Sequence, residues 1–298
     1  MSADVKAARK HQPDRVILAV EERRGVILDV IRKARRRLIL SLFRCNDEAI
    51  FNELAYAVDR GVSVEVITTS RAKGGRGKLE QLREALDHTG AKVKTYNDPV
   101  VKYHAKYIVA DDGPAIVASL NFTRKCFNKT CDGLVITHDP VVVADLRRLM
   151  AADAAGGRIP TDLTERLIVG PERARRQFTA LIEQARSSIR IVDAKLSDPE
   201  LVPLLRSRRA GGLALEVFDS RRLGNLKSHG KIMLVDDAKL VVGSLALAAL
   251  SLDFRREVAI VVDEPAAVAK AADMFRRLTA AAAEAGTAPA GAVDGAQW

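Results

Sequence analysis

Cysteines, aromatic residues and long apolar runs are all scarce in this chain. The three cysteines, Cys45, Cys126 and Cys131, form no C-x-x-C pair, which argues against a zinc ribbon or a disulfide framework. Their scarcity favours a reducing compartment such as the cytoplasm. Aromatic residues make up only 4%, which disfavours a surface that stacks single-stranded nucleic acid. No run of about 18 apolar residues occurs and segment 1–14 lacks a signal-peptide core, so we expect any membrane contact to be peripheral.

Positive charge, by contrast, is abundant. The chain has 48 lysines and arginines against 38 acids, a net charge of +10. Such a charge favours an anionic partner, which could be nucleic acid, lipid head groups or a phosphorylated small molecule, although a solvated basic surface is the alternative. The 298 residues are 48% hydrophobic and 29% charged. This composition is typical of a globular protein, and the length suggests two domains.

The strongest organisational feature is an internal repeat. In each copy the apolar spacing alternates between the helical and the strand period, which predicts helix, strand, helix, strand and an α/β fold. Four pairs of equivalent residues share an offset of 151 positions: Ile31 and Ile182, Ala34 and Ala185, Gly61 and Gly212, and Val66 and Val217. We predict an N-terminal tail (1–14), a first lobe (15–150), a linker (151–164), a second lobe (165–279) and a disordered tail (280–298).

The first copy carries an insertion that the second copy lacks. Its segment 70–78 is rich in glycine and basic residues and follows a predicted strand, a place where α/β folds bind ligands. A helix over 79–87 and a strand over 92–96 are predicted to follow. The basic side chains of the loop are candidate substrate contacts, and the alternative is a flexible solvated loop. These side chains are Arg71, Lys73, Arg76 and Lys78.

Beyond the insertion the copies realign, at an offset of 125, on a repeated polar pattern. Each copy has a histidine, a lysine two positions later, an aspartate at seven, a serine at 15 and an acid at 28. The two sets are His104, Lys106, Asp111, Ser119 and Asp132, and His229, Lys231, Asp236, Ser244 and Glu257. The composition gives a chance of roughly 10⁻⁴ for such a second match. Asn121 extends the first set, whereas Ala246 stands at the equivalent position of the second.

These residue types suit a phosphodiester. Residues i and i+2 of a strand share a face, so His104 and Lys106 should project together, and so should His229 and Lys231. If the lobes pack as a pseudo-dimer, the lysines and serine hydroxyls can hold the phosphate oxygens while one imidazole attacks phosphorus. The other imidazole can protonate the leaving oxygen and then activate the incoming water or alcohol. Each acid can fix a histidine tautomer by accepting the proton of the remote ring nitrogen.

The duplicated His-x-Lys-x4-Asp pattern, followed by Ser-x-Asn in the first copy, resembles the HKD signature of the phospholipase D superfamily. The resemblance covers about residues 23–278 and is closest to the cardiolipin synthase-like and phosphatidyltransferase branch. It implies two similar α/β lobes, each a mixed sheet flanked by helices, related by pseudo-two-fold symmetry with the active site between them. It also implies a phosphohistidine intermediate, no required metal and no cofactor.

The resemblance assigns a role to each residue of the pattern by its position. His104 and His229 are the catalytic histidines, and Asp132 and Glu257 orient them. The other expected phosphate contacts are the catalytic lysines Lys106 and Lys231, with Ser119, Asn121 and Ser244, while Asp111 and Asp236 are expected to be structural. Because only the first copy keeps the asparagine, His104 is the predicted nucleophile and His229 the predicted general acid.

Departures from the family pattern leave the substrate open. Ala118 stands in place of a glycine, Ala246 in place of an asparagine, and the membrane-spanning N-terminus typical of cardiolipin synthases is not found. We favour hydrolysis or transfer of a phosphatidyl group, with a phospholipid preferred over nucleic acid, and peripheral contact with an anionic membrane. The first alternative is a nuclease acting on DNA or RNA, and the second is a non-catalytic phosphate-binding module. The sequence implies no obligate protein partner.

Overall fold

The structure is a computed structural model that describes residues 12–71, 76–219 and 222–284. Its first half alternates helices and strands and then forms an antiparallel hairpin. The elements of this half are β1 (Arg15–Ile17), α1 (Val20–Lys33), β2 (Arg37–Leu42), α2 (Glu48–Asp59), β3 (Ser63–Thr69), α3 (Arg76–Asp87), β4 (Lys92–Tyr96), β5 (Lys102–Tyr103), β6 (Tyr107–Ala110), β7 (Ala115–Ala118), α4 (Arg124–Lys129), β8 (Thr130–Cys131), β9 (Leu134–Thr137) and α5 (Pro140–Ala155).

The second half repeats this order without the inserted helix and strand. Its elements are β10 (Leu167–Gly170), α6 (Ala174–Gln184), β11 (Ser188–Val192), α7 (Leu201–Ala210), β12 (Ala214–Phe218), β13 (Arg222–Leu223), β14 (Leu226–Ser228), β15 (Ile232–Val235), β16 (Lys239–Gly243), α8 (Ala249–Phe254), β17 (Arg255–Val262) and α9 (Pro265–Glu284). The predicted order of helix, strand, helix and strand is confirmed in both copies.

The helix after the first long strand starts in the same way in both halves. Asp47 accepts a backbone hydrogen bond at the start of α2 and forms an ion pair with Arg24. Asp198 accepts two backbone hydrogen bonds at the start of α7 and pairs with Arg175. An oxygen acceptor here satisfies amides that the first helical turn leaves unpaired. The repeated sequence therefore builds the same local structure twice.

Each half contains one mixed β-sheet. The strand order is β1-β9-β7-β6-β2-β3-β4 in the first sheet and β10-β17-β16-β15-β11-β12 in the second. The orders correspond strand for strand except for β4, which belongs to the insertion and forms an edge of the first sheet. The pairs β2–β3 and β11–β12 are parallel, whereas the hairpins β6–β7 and β15–β16 are antiparallel.

The two sheets share a core in addition to the core that each has beneath its outer helices. Val117 of the first sheet and Phe275 of α9 belong to one continuous cluster of buried apolar residues that includes side chains of both halves. Leu54 on α2 and Leu205 on α7 belong to the separate outer clusters. Because burial of apolar surface is the main stabilising contribution to packing, the shared core fixes the halves against each other.

Two short strand pairings join the halves next to the motif. Strand β5 of the first half runs parallel to β17 of the second, with Lys102 opposite Arg255. Strand β14 of the second half runs parallel to β8 of the first, with Lys227 opposite Thr130. The two pairings are equivalent under the 125-residue offset. Each strand that leads to a motif histidine therefore lies beside the strand that leads to the acid of the other half.

The structure corrects the ends of the predicted linker and tails. Helix α5 continues to Ala155 and stops at Gly156, which has the left-handed φ of 67° that favours glycine, so residues 151–155 of the predicted linker are helical. Helix α9 continues to Glu284, because its alanines are strong helix formers. The remaining residues of the predicted tail, 285–298, lie outside the described residues. Asp14, placed in the N-terminal tail, is buried and pairs with Arg166.

The prediction that the motif lies within strands is also corrected. Segments 104–106 and 229–231 lie between strands, at the points where β5 ends before β6 begins and β14 ends before β15 begins. The reason is that the chain there leaves its pairing with the other half and enters the hairpin of its own sheet. Each lysine still reaches its own histidine: Lys106 Nζ lies 3.2 Å from Nδ1 of His104, and Lys231 Nζ donates to the carbonyl of His229.

No helix among the described residues has the length and apolar character needed to cross a bilayer. The longest, α9, has 20 residues but carries Lys270, Arg276 and Arg277. The three cysteines are buried and unpaired.

Candidate active site

The cross-pairings bring the two motif histidines to one region between the halves. The backbone N–H of His104 donates to the carbonyl of Arg256 at 2.9 Å, and that of Gly230 donates to Cys131 at 2.7 Å. A Cβ at Gly230 would lie only 2.4 Å from the Cys131 carbonyl oxygen, so the close approach requires glycine there. Arg256 and Cys131 each immediately precede a motif acid. Each histidine is therefore placed beside the acid of the opposite half.

His104 is held by groups from both halves. Its Nδ1 bonds to Glu257 of the second half, and the other oxygen of Glu257 accepts a hydrogen bond from Ser251. Lys106 places Nζ 3.2 Å from Nδ1 of the imidazole and 3.4 Å from Nε2. The ring of Phe43 packs against the imidazole edge-to-face at a centroid distance of 4.3 Å. With Nδ1 occupied by Glu257, Nε2 is the nitrogen left to react.

His229 is held in the reciprocal way by Asp132 of the first half. Its Nδ1 lies 3.0 Å from both carboxylate oxygens of Asp132. Ser119 and Thr130 each donate a hydroxyl hydrogen bond to that carboxylate at 2.6 Å. The buried guanidinium of Arg23 donates to the backbone carbonyl of Asp132, also at 2.6 Å. These bonds fix the position of the acid and, through it, the imidazole.

The two histidine–acid pairs differ in their electrostatics. Burial raises the pKa of Glu257 to about 7, although Lys106 and Ser251 oppose the shift. Burial also lowers the pKa of His104 well below its usual value, and the charges of Lys106, Arg255 and other nearby cations lower it further. For Asp132, burial alone would raise the pKa, but His229, Ser119 and Thr130 together hold it below its usual value. The His104 pair thus favours an uncharged imidazole, whereas Asp132 is held as a carboxylate beside His229.

Both motif lysines face the site with their ammonium groups anchored to the backbone. Lys106 donates to the carbonyl of His104 at 2.6 Å, and Lys231 donates to the carbonyl of His229. Lys106 is 1% exposed, and burial together with the charge of Lys231 lowers its pKa to about 7, although Glu257 opposes the shift. A buried lysine is stabilised by an anion, so the site is arranged to receive one.

Two further cations near His104 were missed in the sequence. Lys195 and Arg255 both lower the pKa of His104, and burial and the charge of Lys231 lower the pKa of Lys195 itself. The sequence did contain an indication of Lys195. The 151-residue offset aligns Lys195 with Arg44, and these two basic residues follow the equivalent strands β11 and β2. Arg255 had no such signal, since its equivalent in the first copy is Thr130.

The predicted serines and the asparagine are placed differently from one another. The hydroxyl of Ser119 donates to Asp132, and that of Ser244 lies 3.4 Å from the carbonyl of Val258. Both serines are therefore in contact with the protein rather than directed only toward a ligand. Asn121 is 8% exposed, and its buried Oδ1 has no hydrogen-bond partner in the structure. Because this oxygen is an acceptor, it can pair with a donor such as a substrate hydroxyl group but not with a phosphate oxygen.

The motif aspartates lie outside this region, at the far ends of strands. Asp111 accepts hydrogen bonds from the backbone N–H groups of residues 35–37. Asp236 accepts the equivalent bonds from residues 186–188. Both have positive φ angles, of 47° and 55°. Their contacts connect the hairpin to the start of the neighbouring strand in each sheet.

A cavity of about 600 Å³ opens beside His229. Lys78, Lys125 and Lys227 line it together with Arg44, and no carboxylate occurs among the described residues of its wall. The same wall also contains the apolar side chains of Phe43, Phe51, Leu79 and Leu82. Asn121 lines the cavity as well. A wall that combines cations with apolar side chains suits an amphiphilic anion.

The basic loop of the insertion contributes to the site in part. Lys78 lines the cavity, but the guanidinium of Arg71 donates to backbone carbonyls of Asp98, Pro99 and Val101. Arg71 therefore ties its loop to the segment before β5. Lys73 and the side chain of Arg76 lie outside the described residues.

Comparison with known proteins agrees with this geometry. The family model for the cardiolipin synthase, PLD-like domain, matches residues 27–154. Cardiolipin synthase A of Pseudomonas aeruginosa is 28% identical over 129 residues, which cover 43% of this chain and 26% of that protein. Residues 27–154 are thus similar to the PLD-like domain of cardiolipin synthases. The matched segment spans about a quarter of the length of these curated relatives.

Two solved structures are similar in fold to both lobes. Polyphosphate kinase from Porphyromonas gingivalis aligns with a TM-score of 0.70 and 17% identity, over 88% of this chain and 50% of that chain. Phosphatidylserine synthase from Haemophilus influenzae aligns with a TM-score of 0.67 and 12% identity, over 89% of this chain and 86% of that chain. At these identities the likeness concerns the fold, and it agrees with the prediction of two similar α/β lobes, each a mixed sheet flanked by helices.

Proposed function

We propose that the protein is a metal-independent phosphodiesterase of the phospholipase D type that hydrolyses or transfers a phosphatidyl group. The observation that carries the proposal is the crossed arrangement of the two histidine–acid pairs with opposite electrostatics. An uncharged imidazole is the form that a nucleophile needs, and an imidazolium is the form that a general acid needs. We therefore assign the nucleophile to His104 and the general acid to His229, which faces the carboxylate of Asp132.

In the proposed reaction, Nε2 of His104 attacks phosphorus and the bond from phosphorus to the leaving oxygen breaks. Protonated His229 gives its proton to that oxygen, which leaves a phosphohistidine on His104. His229 then accepts a proton from an incoming water or alcohol, whose oxygen attacks phosphorus as the phosphorus–nitrogen bond breaks. Lys106 and Lys231 neutralise the non-bridging oxygens, with Lys195 and Arg255 nearby.

A phospholipid is our preferred substrate class, and two observations support it. The cavity beside His229 combines cations with apolar side chains. Leu250 and Phe254, four positions apart on α8, are 58% and 46% exposed, and Val100 before β5 is 64% exposed. Because β5 runs beside the start of β17, Val100 lies near the end of α8. Exposed apolar side chains of this kind suit peripheral contact with a lipid surface.

The test is an assay of one purified preparation, with a chelator present, on anionic phospholipid vesicles, plasmid DNA and RNA. We expect release or transfer of a lipid head group, and no loss of activity to the chelator, because lysines supply the positive charge at phosphorus. Cleavage of DNA or RNA without lipid turnover would assign the nuclease alternative. Activity that disappears with the chelator and returns with Mg²⁺ would reject the mechanism.

Lysines inside and outside the cavity wall can be compared in the same assay. Removing the charges of Lys125 and Lys227 should raise KM several-fold and weaken its salt dependence, with a smaller change in kcat. Removing the charges of Lys239 and Lys270, which lie outside the cavity wall, changes net charge by the same amount and should leave KM unaltered. An equal effect of both pairs would mean that the cavity is not the binding site.

The low pKa of Lys106 predicts a dependence of activity on pH. Its charge is present below its pKa of about 7 and is lost as the pH rises through that value, so kcat/KM should fall above about pH 7. A bound phosphate stabilises the ammonium, so the corresponding fall in kcat should begin at higher pH. Lys106→Arg keeps the charge and should remove the fall near pH 7, whereas Lys227→Arg should retain it. A profile of Lys106→Arg identical in shape to that of the unaltered protein would contradict this assignment.

A further inference from the structure

The pair formed by Asp132 and His229 has a third neighbour that the proposed reaction does not use, the thiol of Cys126. One ligand atom each from Cys126, Asp132 and His229 can be chosen such that all three lie within 4.8 Å of one another. Thiolate sulfur, carboxylate oxygen and imidazole nitrogen are the donor types that bind Zn²⁺. We propose that these three residues form an inhibitory binding site for Zn²⁺ and other thiophilic divalent metal ions.

The geometry needs only a small adjustment to hold such an ion. Zinc–ligand bonds of about 2.0 to 2.3 Å in a tetrahedron place donor atoms about 3.3 to 3.8 Å apart, so contraction by about 1 Å is sufficient. Cys126 lies on α4, where its backbone N–H is 3.2 Å from the capping hydroxyl of Thr123. Cys126 and His229 both line the cavity, which gives an ion a path from solvent and leaves the fourth position to water.

The other half supplies an internal comparison. The 125-residue offset relates Cys126 to Ser251, Asp132 to Glu257 and His229 to His104, so the same constellation occurs twice with an oxygen in place of the sulfur. The Ser251 hydroxyl donates to Glu257, and Arg255 lies 3.9 Å from that carboxylate. A neutral hydroxyl is a weak ligand for a soft ion, whereas a thiolate is a strong one. Among the described residues, the first half therefore has the donor set that suits such an ion.

An ion at this site would prevent the chemistry proposed for His229. A metal on Nδ1 displaces the hydrogen bond with Asp132, and a metal on Nε2 occupies the nitrogen that transfers the proton. Because Lys106 and Lys231 repel a cation here, the thiolate is needed to compensate for their charge. Binding releases the thiol proton, so affinity should increase with pH.

Binding can be tested without any enzyme assay, with Co²⁺ as a spectroscopic probe and Zn²⁺ as its competitor. The unaltered protein should bind one Co²⁺ with a sulfur-to-metal charge-transfer band that Zn²⁺ abolishes. Cys126→Ser, which copies the residue of the other half, should lose that band and bind Zn²⁺ at least about tenfold more weakly. Cys131→Ser, at an equally buried cysteine beside Asp132, should retain both properties. Ser251→Cys should raise the number of Co²⁺ ions bound per chain toward two.

Inhibition is the second measurement, and it alone rests on the proposed function. Zn²⁺ should inhibit the unaltered protein and Cys131→Ser, and should be at least about tenfold less potent on Cys126→Ser, each normalised to its own activity without metal. If Cys126→Ser is poorly folded by circular dichroism, Cys126→Ala takes its place. A charge-transfer band that survives in the Cys126 variants, or one that is never formed by the unaltered protein, would overturn the site. If the charge-transfer band forms but the protein has no activity, the proposed function is rejected and the metal site is still supported.

Discussion

Replacing His229 by alanine should leave a protein that cleaves a nitrophenyl phosphodiester once and then stops, with phosphorus trapped on His104. A nitrophenolate leaves with little protonation, so loss of the general acid does not prevent attack by the imidazole of His104. The second step fails because no base remains to activate water. With an alkyl leaving group, either single alanine variant should lose nearly all turnover, and the double variant should lose little more, since the histidines act as one unit.

The measurement is a burst of about one nitrophenolate per chain, followed by identification of acid-labile phosphorus on a histidine-containing peptide. His104→Ala serves as the paired variant and should give neither burst nor adduct. His88→Ala controls for loss of an imidazole, because His88 is exposed on the first half and bonds to the carbonyl of Glu84 in the preceding helix α3. Phosphorus on His229 in the His104→Ala protein would reverse the two roles. No adduct in either variant would reject the covalent intermediate.

The sequence was sufficient to predict much of the fold. The offset of 151 residues located the helix–strand units of both lobes, since apolar periodicity depends on local geometry that duplication preserves. The same argument recognised the insertion of α3 and β4 from its lack of a counterpart. The sequence did not predict how far some helices extend into alanine-rich segments. Helix α5, for example, continues to Ala155. Alanine-rich segments favour helix whether or not they also connect domains.

The sequence predicted which residues form the site but not which of them contact one another. The spacing of 28 residues identified Asp132 and Glu257, yet nothing local indicates that each acid serves the other half's histidine. That exchange is a consequence of the β5–β17 and β8–β14 pairings, which are long-range contacts. The electrostatic asymmetry is likewise invisible in sequence, because both acids are buried and only their neighbours set their pKa values apart. Ser119, expected at the phosphate, instead supports Asp132.

The crossed acids lead to a prediction that separates orientation from chemistry. Asp132→Asn should reduce turnover of an alkyl phosphodiester by about 10³- to 10⁴-fold, because the amide can no longer stabilise a protonated His229. The same variant should lose much less in the initial burst with the nitrophenyl substrate, which needs little proton transfer. Glu257→Gln should impair both substrates alike, since Glu257 supports the nucleophile rather than the acid. The leaving group therefore distinguishes the two acids even though both are buried and both contact a histidine.

The control for this comparison is Asp145→Asn, at a buried carboxylate of α5 that pairs with Arg148 outside the site. It should change thermal stability without changing the ratio of the two substrates. If the leaving-group dependence followed Glu257→Gln instead, the acid would be His104 and the nucleophile His229. If both variants lost activity equally on both substrates while their melting temperatures fell, the acids would serve the fold alone. A selective effect of Asp132→Asn would mean that a carboxylate from one lobe sets the protonation state of a histidine in the other, which would make the duplicated fold a requirement for catalysis.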